Sequence, residues 1–373
     1  MDVVVPESVG LSTARLGRLS AVIAARVAAG HVPGAVALVA RRGRVAYFES
    51  FGKRDPGAAD GMGKDAIFRI YSMTKPIVSV AAMMLWEEGK FLLSDAVGKY
   101  LPEFGHTVMT VQDLLRHTSG LTYEFRGTGP VQKAYTEAKV FRRNQTNAEQ
   151  SVTLAGLPLA SPPGTRWEYS RSTDVLGRLV EVLSGRTLGG FLGERIFAPL
   201  GMKDTGFHVP PAALGRLAGA FAKDPDTGAD VVVLDVTQPA MFESGGGGLV
   251  STTADYAQFL QMMLSGGVLH GERLLGPMTV ALMTADHLGS IPGDGDLLNP
   301  GYGFGLGFAV RMHAGISVMP GRVGQYFWGG AAGTTFWVDP AEELYAVMMI
   351  QGPGQREFYR VLFRDMVYAS LVD

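Results

Sequence analysis

Phe68-Arg69-Ile70-Tyr71-Ser72-Met73-Thr74-Lys75-Pro76 runs directly into an apolar block, Ile77 to Trp86, broken only by Ser79. The block reads as the body of one buried helix with Ser72 in its first turn. Residues three apart share a helical face, so Ser72 and Lys75 are expected to point into the same space. A serine hydroxyl is a poor nucleophile until a neighbouring base takes its proton, and a desolvated lysine can be that base. The helix N-terminus adds a positive dipole end close to where an oxyanion would form. Pro76 is tolerable because first-turn amides have no helical acceptor to lose. The Ser-x-x-Lys pattern alone is cheap: Ser50-Phe51-Gly52-Lys53 fits it too. That second match closes an alternating, strand-like run and leads into a Gly-rich turn, with no helix behind it.

The chain has 373 residues, enough for two domains or one large one with an insertion. Charged residues are 18%, below the roughly 25% usual for soluble proteins, and 47% are hydrophobic, which implies a compact globular body. A net charge of −2 with no basic run argues against nucleic acid or an anionic membrane surface as a partner. The absence of cysteine excludes disulfides, thiolate metal sites and a cysteine nucleophile. Met1 to Glu7 has neither a basic start nor a long apolar core, so a cytoplasmic location is expected.

From the N-terminus, Ser12 to Ala29 reads as an amphipathic helix, with Leu16, Leu19, Ile23 and Val27 at helical spacing and Gly30 as its stop. Gly34 to Ala40 and Arg44 to Phe51 form a β-hairpin about Arg41-Arg42-Gly43. From about Phe91 to Pro239 short helices alternate with Pro- and Gly-bearing loops. Thr110 with Asp113 resembles a capping box, and Ser172 to Ser184 is a clear helix ended by Gly185. The tail returns to strands, Thr334 to Val338 and Leu344 to Ile350. A final helix, Arg356 to Leu371, is expected to turn Phe358, Val361, Leu362 and Tyr368 inward. Front and back therefore suggest one α/β layer domain assembled from both ends, residues 1–90 and 241–373, with residues 91–240 as a mostly helical insertion. A cleft between two such lobes is a usual place for a site.

Tyr169, in Trp167-Glu168-Tyr169-Ser170-Arg171, could relay protons if a nearby cation lowers its pKa from about 10, or could simply pack its ring in a loop. Trp328-Gly329-Gly330-Ala331 precedes a strand. It is either a tight turn or a strand edge open to substrate, whose backbone N–H could share an oxyanion with the Ser72 N–H. Gly245 to Gly248 lacks the Gly-Lys-Ser/Thr ending of a phosphate loop and reads as a close-packed turn. The seven histidines show no metal-like spacing, so neither a metal nor another cofactor is expected. Gly-x-Ser-x-Gly is absent.

Taken together and in order, these motifs resemble the serine β-lactamase and penicillin-binding-protein superfamily, most of all its class C-related carboxylesterases, the family VIII esterases. The matching pieces are Ser72-Met73-Thr74-Lys75, Leu115 to Leu121, Pro163-Gly164-Thr165 with Trp167 to Ser170, Pro199 to Met202, Gly246 to Leu249, and Trp328-Gly329-Gly330. The resemblance implies an antiparallel sheet flanked by helices plus a mostly helical domain. It makes Ser72 the acylated nucleophile, Lys75 its base or proton store and Tyr169 a general acid/base. The N–H groups of Ser72 and Ala331 would form the oxyanion hole, and Trp328, Gly329, Gly330 and Arg171 would contact substrate. Two departures stand out: Arg171 occupies the asparagine position of the Tyr-x-Asn motif, and Trp328 that of the lysine in Lys-Thr-Gly. In β-lactamases those positions hold the substrate amide and carboxylate. Losing a hydrogen bond to a charged group costs ~1.5–3 kcal/mol, roughly 10–150-fold. Weak handling of β-lactams follows, and the implied activity is hydrolysis of small, short-acyl esters. A β-lactamase or D,D-peptidase, an acyltransferase and a non-catalytic binding module remain alternatives; oligomeric state is open.

Overall fold

The computed structural model describes residues 2–293 and 297–373. A seven-stranded antiparallel sheet lies at its centre. Its strands are β1 (Gly34–Arg41), β2 (Arg44–Gly52), β3 (Tyr302–Phe304), β4 (Ala309–Arg311), β5 (Tyr326–Gly329), β6 (Thr335–Asp339) and β7 (Leu344–Ile350). The spatial order is β2-β1-β7-β6-β5-β4-β3. Pairing of β1 with β7, Ala35 opposite Ile350 and Arg41 opposite Leu344, joins the front of the chain to its back. The β1–β2 turn needs two left-handed residues, and Arg42 and Gly43 supply φ of 53° and 72°.

Five longer helices are α1 (Thr13–Ala28), α2 (Thr74–Glu87), α3 (Ser172–Ser184), α4 (Thr253–Leu264) and α5 (Arg356–Tyr368). Every residue of β1 and β7 is buried, as expected of strands covered on both faces. Helix α1, capped by the Ser12 hydroxyl accepting from the Arg15 N–H, packs on β2 and α5, while α4 lies along β1, β6 and β7. The predicted buried helix is α2: Thr74 to Leu85 are all buried, with α3 against it. Thr110 and Asp113 form the expected reciprocal cap. Among the described residues no helix is long and apolar enough to cross a membrane.

Two expectations change. The back of the chain supplies five strands of the sheet rather than two, because β3 and β4, at three residues each, and β5, at four, are too short to show alternation. The buried face of α5 is Tyr359, Phe363, Arg364 and Val367, not the predicted set. Phe358 is 45% exposed, with the Arg26 guanidinium 4.1 Å over its ring. The cation covers one face of the partly exposed ring.

Candidate active site

Ser72 stands not in α2 but in a 3₁₀ turn, Tyr71–Met73, immediately ahead of it. Tyr71 holds φ +44°, a left-handed conformation unfavourable for a bulky side chain, so the surrounding structure must enforce it. The Ile70 N–H donates to the Leu249 carbonyl, the Thr334 hydroxyl donates to the Ile70 carbonyl at 3.3 Å, and the Leu234 N–H donates to the Tyr71 hydroxyl at 2.7 Å.

One turn on, Lys75 Nζ lies 3.2 Å from Ser72 Oγ, 2.9 Å from the Tyr123 hydroxyl and 2.6 Å from the Gly246 carbonyl oxygen. Lys75 is 1% exposed. Burial pushes its pKa down from 10.5 to about 7; Asp174 opposes this and Arg171 reinforces it. A neutral amine has two N–H bonds and one lone pair. With Gly246 and Tyr123 accepting the two N–H bonds, the lone pair is left for the Ser72 hydroxyl proton. That is the geometry of a general base.

Tyr169 arrives from the loop before α3. Its hydroxyl accepts from Trp328 Nε1 at 3.3 Å and faces the Ser72 side chain closely enough for that group to lower its pKa. Lys75 Nζ lies 4.4 Å from its ring centroid. A lowered pKa is the condition set for a relay through this tyrosine, and here the shift runs the other way. Burial raises it to about 12, outweighing the hydrogen bonds from Ser72 and Trp328, which act the other way. Tyr169 is therefore a phenol at neutral pH, suited to donate a proton. His117 packs beneath it with ring centroids 5.0 Å apart, its Nδ1 accepting from the Ser170 N–H at 3.3 Å. Burial, with Lys75 nearby, keeps that imidazole neutral.

The third motif closes the site from the sheet. A Cβ on Gly330 would lie 2.4 Å from the Ile70 carbonyl oxygen, so only glycine lets the end of β5 press against the Ser72 turn. Ala331 follows. Neither its N–H nor that of Ser72 has an acceptor among the described residues. Both residues line two cavities that meet at Ser72. One, of about 300 Å³, has walls of Tyr169, Trp328, Gly329 and Arg360; the other, of about 450 Å³, is lined by Tyr71, Phe125, Phe141, Val232, Val233 and Leu234.

Arg171 lines the larger cavity, and its guanidinium is also held by two carboxylates. Its guanidinium donates to both oxygens of Glu124 and, at 3.1 Å, to Asp174 Oδ2, and lies 4.6 Å from the Tyr123 ring centroid. Its work is positional. Asp174 Oδ1 accepts from the Gly246 N–H at 2.8 Å and the Ser244 hydroxyl at 2.6 Å, and the Gly246 carbonyl in turn faces Lys75. The sequence reading misses Tyr123 altogether; its one signal is its place two residues beyond the Leu115–Leu121 motif. The glycine run is the close-packed turn expected: a Cβ on Gly245 would lie 2.4 Å from the Thr173 carbonyl oxygen.

A family model described as Beta-lactamase matches residues 19–369. The chain belongs to the beta-lactamase family. Esterase EstB of Burkholderia gladioli is 30% identical over 392 residues, covering 98% of each protein. An uncharacterised protein of Mycobacterium tuberculosis is 35% identical over 350 residues, 87% of this chain and 86% of its own. Among solved structures, EstCE1, described as a hydrolase with promiscuous acyltransferase activity, superposes with a TM-score of 0.84 at 28% identity, over 95% of this chain and 98% of its own. The resemblance to family VIII esterases, related to penicillin-binding proteins and class C β-lactamases, therefore holds, as does the fold it implies. This beta-lactamase-family protein is a serine hydrolase.

Within that family identity, the rival Ser50-x-x-Lys53 match fails on geometry: Ser50 lies in β2 and Lys53 is exposed just beyond its end. Trp328, in place of a lysine, touches the machinery directly through its indole N–H on Tyr169. Trp328→Phe keeps the ring and removes the donor. A neutral hydrogen bond is worth about 0.5–1.5 kcal/mol net, so kcat/KM for a small ester is expected to fall about 2- to 10-fold. Steady-state kinetics of the variant checks this; an unchanged kcat/KM would remove Trp328 from the chemistry.

Proposed function

We propose that this hydrolase cleaves small carboxylic esters through an acyl-enzyme on Ser72, with Lys75 as base and Tyr169 as proton donor. The observation that carries the reading is the buried Nζ of Lys75, 3.2 Å from Ser72 Oγ. Ser72 Oγ attacks the ester carbonyl carbon while its proton passes to Lys75. The developing oxyanion is held by the Ser72 and Ala331 N–H groups. As the bond from carbonyl carbon to alcohol oxygen breaks, Tyr169 protonates the leaving alcohol and recovers a proton from Lys75. Water then attacks the acyl-enzyme, its proton taken by Lys75, and Ser72 leaves with a proton returned through the same groups.

The position of Tyr169 supports a division of roles between the two cavities. The leaving alcohol must lie beside the proton donor, and Tyr169 lines only the smaller cavity. The acyl group then occupies the larger, mainly apolar one, whose wall at Val232–Leu234 is tied to the nucleophile turn through the Tyr71 hydroxyl. The test is intact-mass analysis after treatment with a p-nitrophenyl alkylphosphonate. One adduct is expected, mapping to the Ser72 peptide; labelling elsewhere sinks the mechanism.

Acyl transfer to an alcohol is a second reading, favoured by the likeness to EstCE1. An added alcohol that diverts acyl groups from water, without slowing acylation, would support it.

The pH dependence follows from the two shifted groups. The base must be neutral, so kcat/KM is expected to rise with pH through about 7 as Lys75 loses its proton. The donor must stay protonated, and Tyr169 at about 12 keeps the profile level well above that. Initial rates on a small ester between roughly pH 5 and 9.5, corrected for spontaneous hydrolysis, check this; a midpoint near that of a free lysine would contradict it.

A further inference from the structure

Among the described residues, three line both cavities: Ser72, Ala331 and Phe125. The first two are the nucleophile and an oxyanion donor. The third has no part in the proposed chemistry, yet it stands where the cavities meet. Its ring stacks on that of Tyr123, with centroids 4.6 Å apart and planes at 19°. Tyr123 lines only the larger cavity, and its hydroxyl meets Lys75. The pair forms a two-ring platform that begins beside Ser72 and runs to the acyl side.

Single exposed apolar side chains are ordinary, but here three large ones gather on one cavity. Phe125 is 67% exposed, Phe141 38% and Val232 89%. A short acyl group would leave most of that surface in water. The platform is also held still. Arg171, clamped by Glu124 and Asp174, lies 4.6 Å from the Tyr123 ring centroid and 5.0 Å from that of Phe141. One fixed cation thus braces two aromatic walls, and a rigid surface loses little freedom when a substrate covers it. Aromatic rings gain from offset stacking beyond the area they bury, which favours a flat partner over a puckered or flexible one.

We infer that this hydrolase selects aromatic acyl groups of the benzoate type, whose planar ring lies on Phe125 and extends towards Val232–Leu234. The inference rests on the reading above, in which the acyl group occupies the larger cavity. Phe125 touches no reacting atom; it sets which acyl group is held while the carbonyl rests between the Ser72 and Ala331 N–H groups.

The experiment measures kcat/KM of the full chain for the trifluoroethyl esters of benzoic acid and cyclohexanecarboxylic acid, by pH-stat. The two share a leaving group without a ring and differ in whether the acyl ring is flat. After division by each ester's own alkaline hydrolysis rate, wild type favours the benzoate; a preference for the saturated ester overturns the inference. In Phe125→Leu the benzoate-to-cyclohexanecarboxylate ratio is expected to fall about 2- to 10-fold, the range for losing one aromatic stack. A general loss of activity cancels in that ratio. Phe125→Tyr, which restores a ring, keeps it at the wild-type value. An unchanged ratio in Phe125→Leu overturns the inference and leaves the ester reading intact. Phenyl acetate and cyclohexyl acetate place the same rings on the alcohol. A fall in their ratio, with the acyl pair unchanged, puts the stacked ring on the alcohol side and overturns the inference too. Failure of both trifluoroethyl esters to acylate Ser72, read by intact mass, overturns both readings.

Discussion

Ser72→Ala is expected to lower ester turnover by on the order of 10⁵–10⁶-fold, leaving only what binding and the two backbone N–H groups provide. The size follows from the step removed. Without Oγ no acyl-enzyme forms, and water would have to attack in a cleft arranged to deliver a serine oxygen. The KM for a small ester should change little, because every other residue of the cavity walls is untouched. The side chain is half-buried and bonded only at the site, so thermal stability should stay close to wild type. Kinetics with a p-nitrophenyl ester, alongside a melting curve, reads both quantities. Turnover within tenfold of wild type would mean that another residue carries the reaction.

Lys75→Met is the second large effect, a loss on the order of 10³–10⁴-fold in kcat/KM. Methionine fills similar space in an apolar setting but cannot accept the Ser72 proton. The substitution also decides between two bases. With Lys75 near 7 and Tyr169 near 12, the lysine is the group that is unprotonated at neutral pH. Lys75→Met should therefore slow phosphonylation of Ser72 by a p-nitrophenyl alkylphosphonate at least as much as it slows turnover, and more than Tyr169→Phe does. The reverse order would make Tyr169 the base.

Much of this centre is legible in the sequence because it is local. Ser72 and Lys75 are one turn apart, and the apolar run behind them announces a buried helix. At Trp328-Gly329-Gly330 the sequence offers a tight turn or a strand edge open to substrate, and the structure adds the Ile70 carbonyl oxygen against Gly330. What is not legible depends on partners distant in the chain. Arg171 looks free until Glu124, 47 residues away, and Asp174 are seen to clamp it. Tyr123 reaches Lys75 across 48 residues from a loop with no periodic signal. The direction of the Tyr169 shift depends on how completely water is excluded, which no spacing rule records. Helix α5 shows a related limit: several stripes on its surface could face inward, and the one that does is Tyr359, Phe363, Arg364 and Val367.

The buried Lys75 has a consequence for the proton inventory of folding. In the unfolded chain this amine holds its proton up to about pH 10.5; in the native protein it gives it up at about 7. Between those values folding expels a proton. The unfolded state binds more protons there, so this residue's contribution to stability rises with pH across the window. Its penalty is absent above 10.5 and grows as pH falls towards 7. Below 7 it is constant, on the order of 5 kcal/mol. At the pH where the base begins to work, the native state is thus carrying nearly the whole of that strain, and the replacement that silences Lys75 should also relieve it.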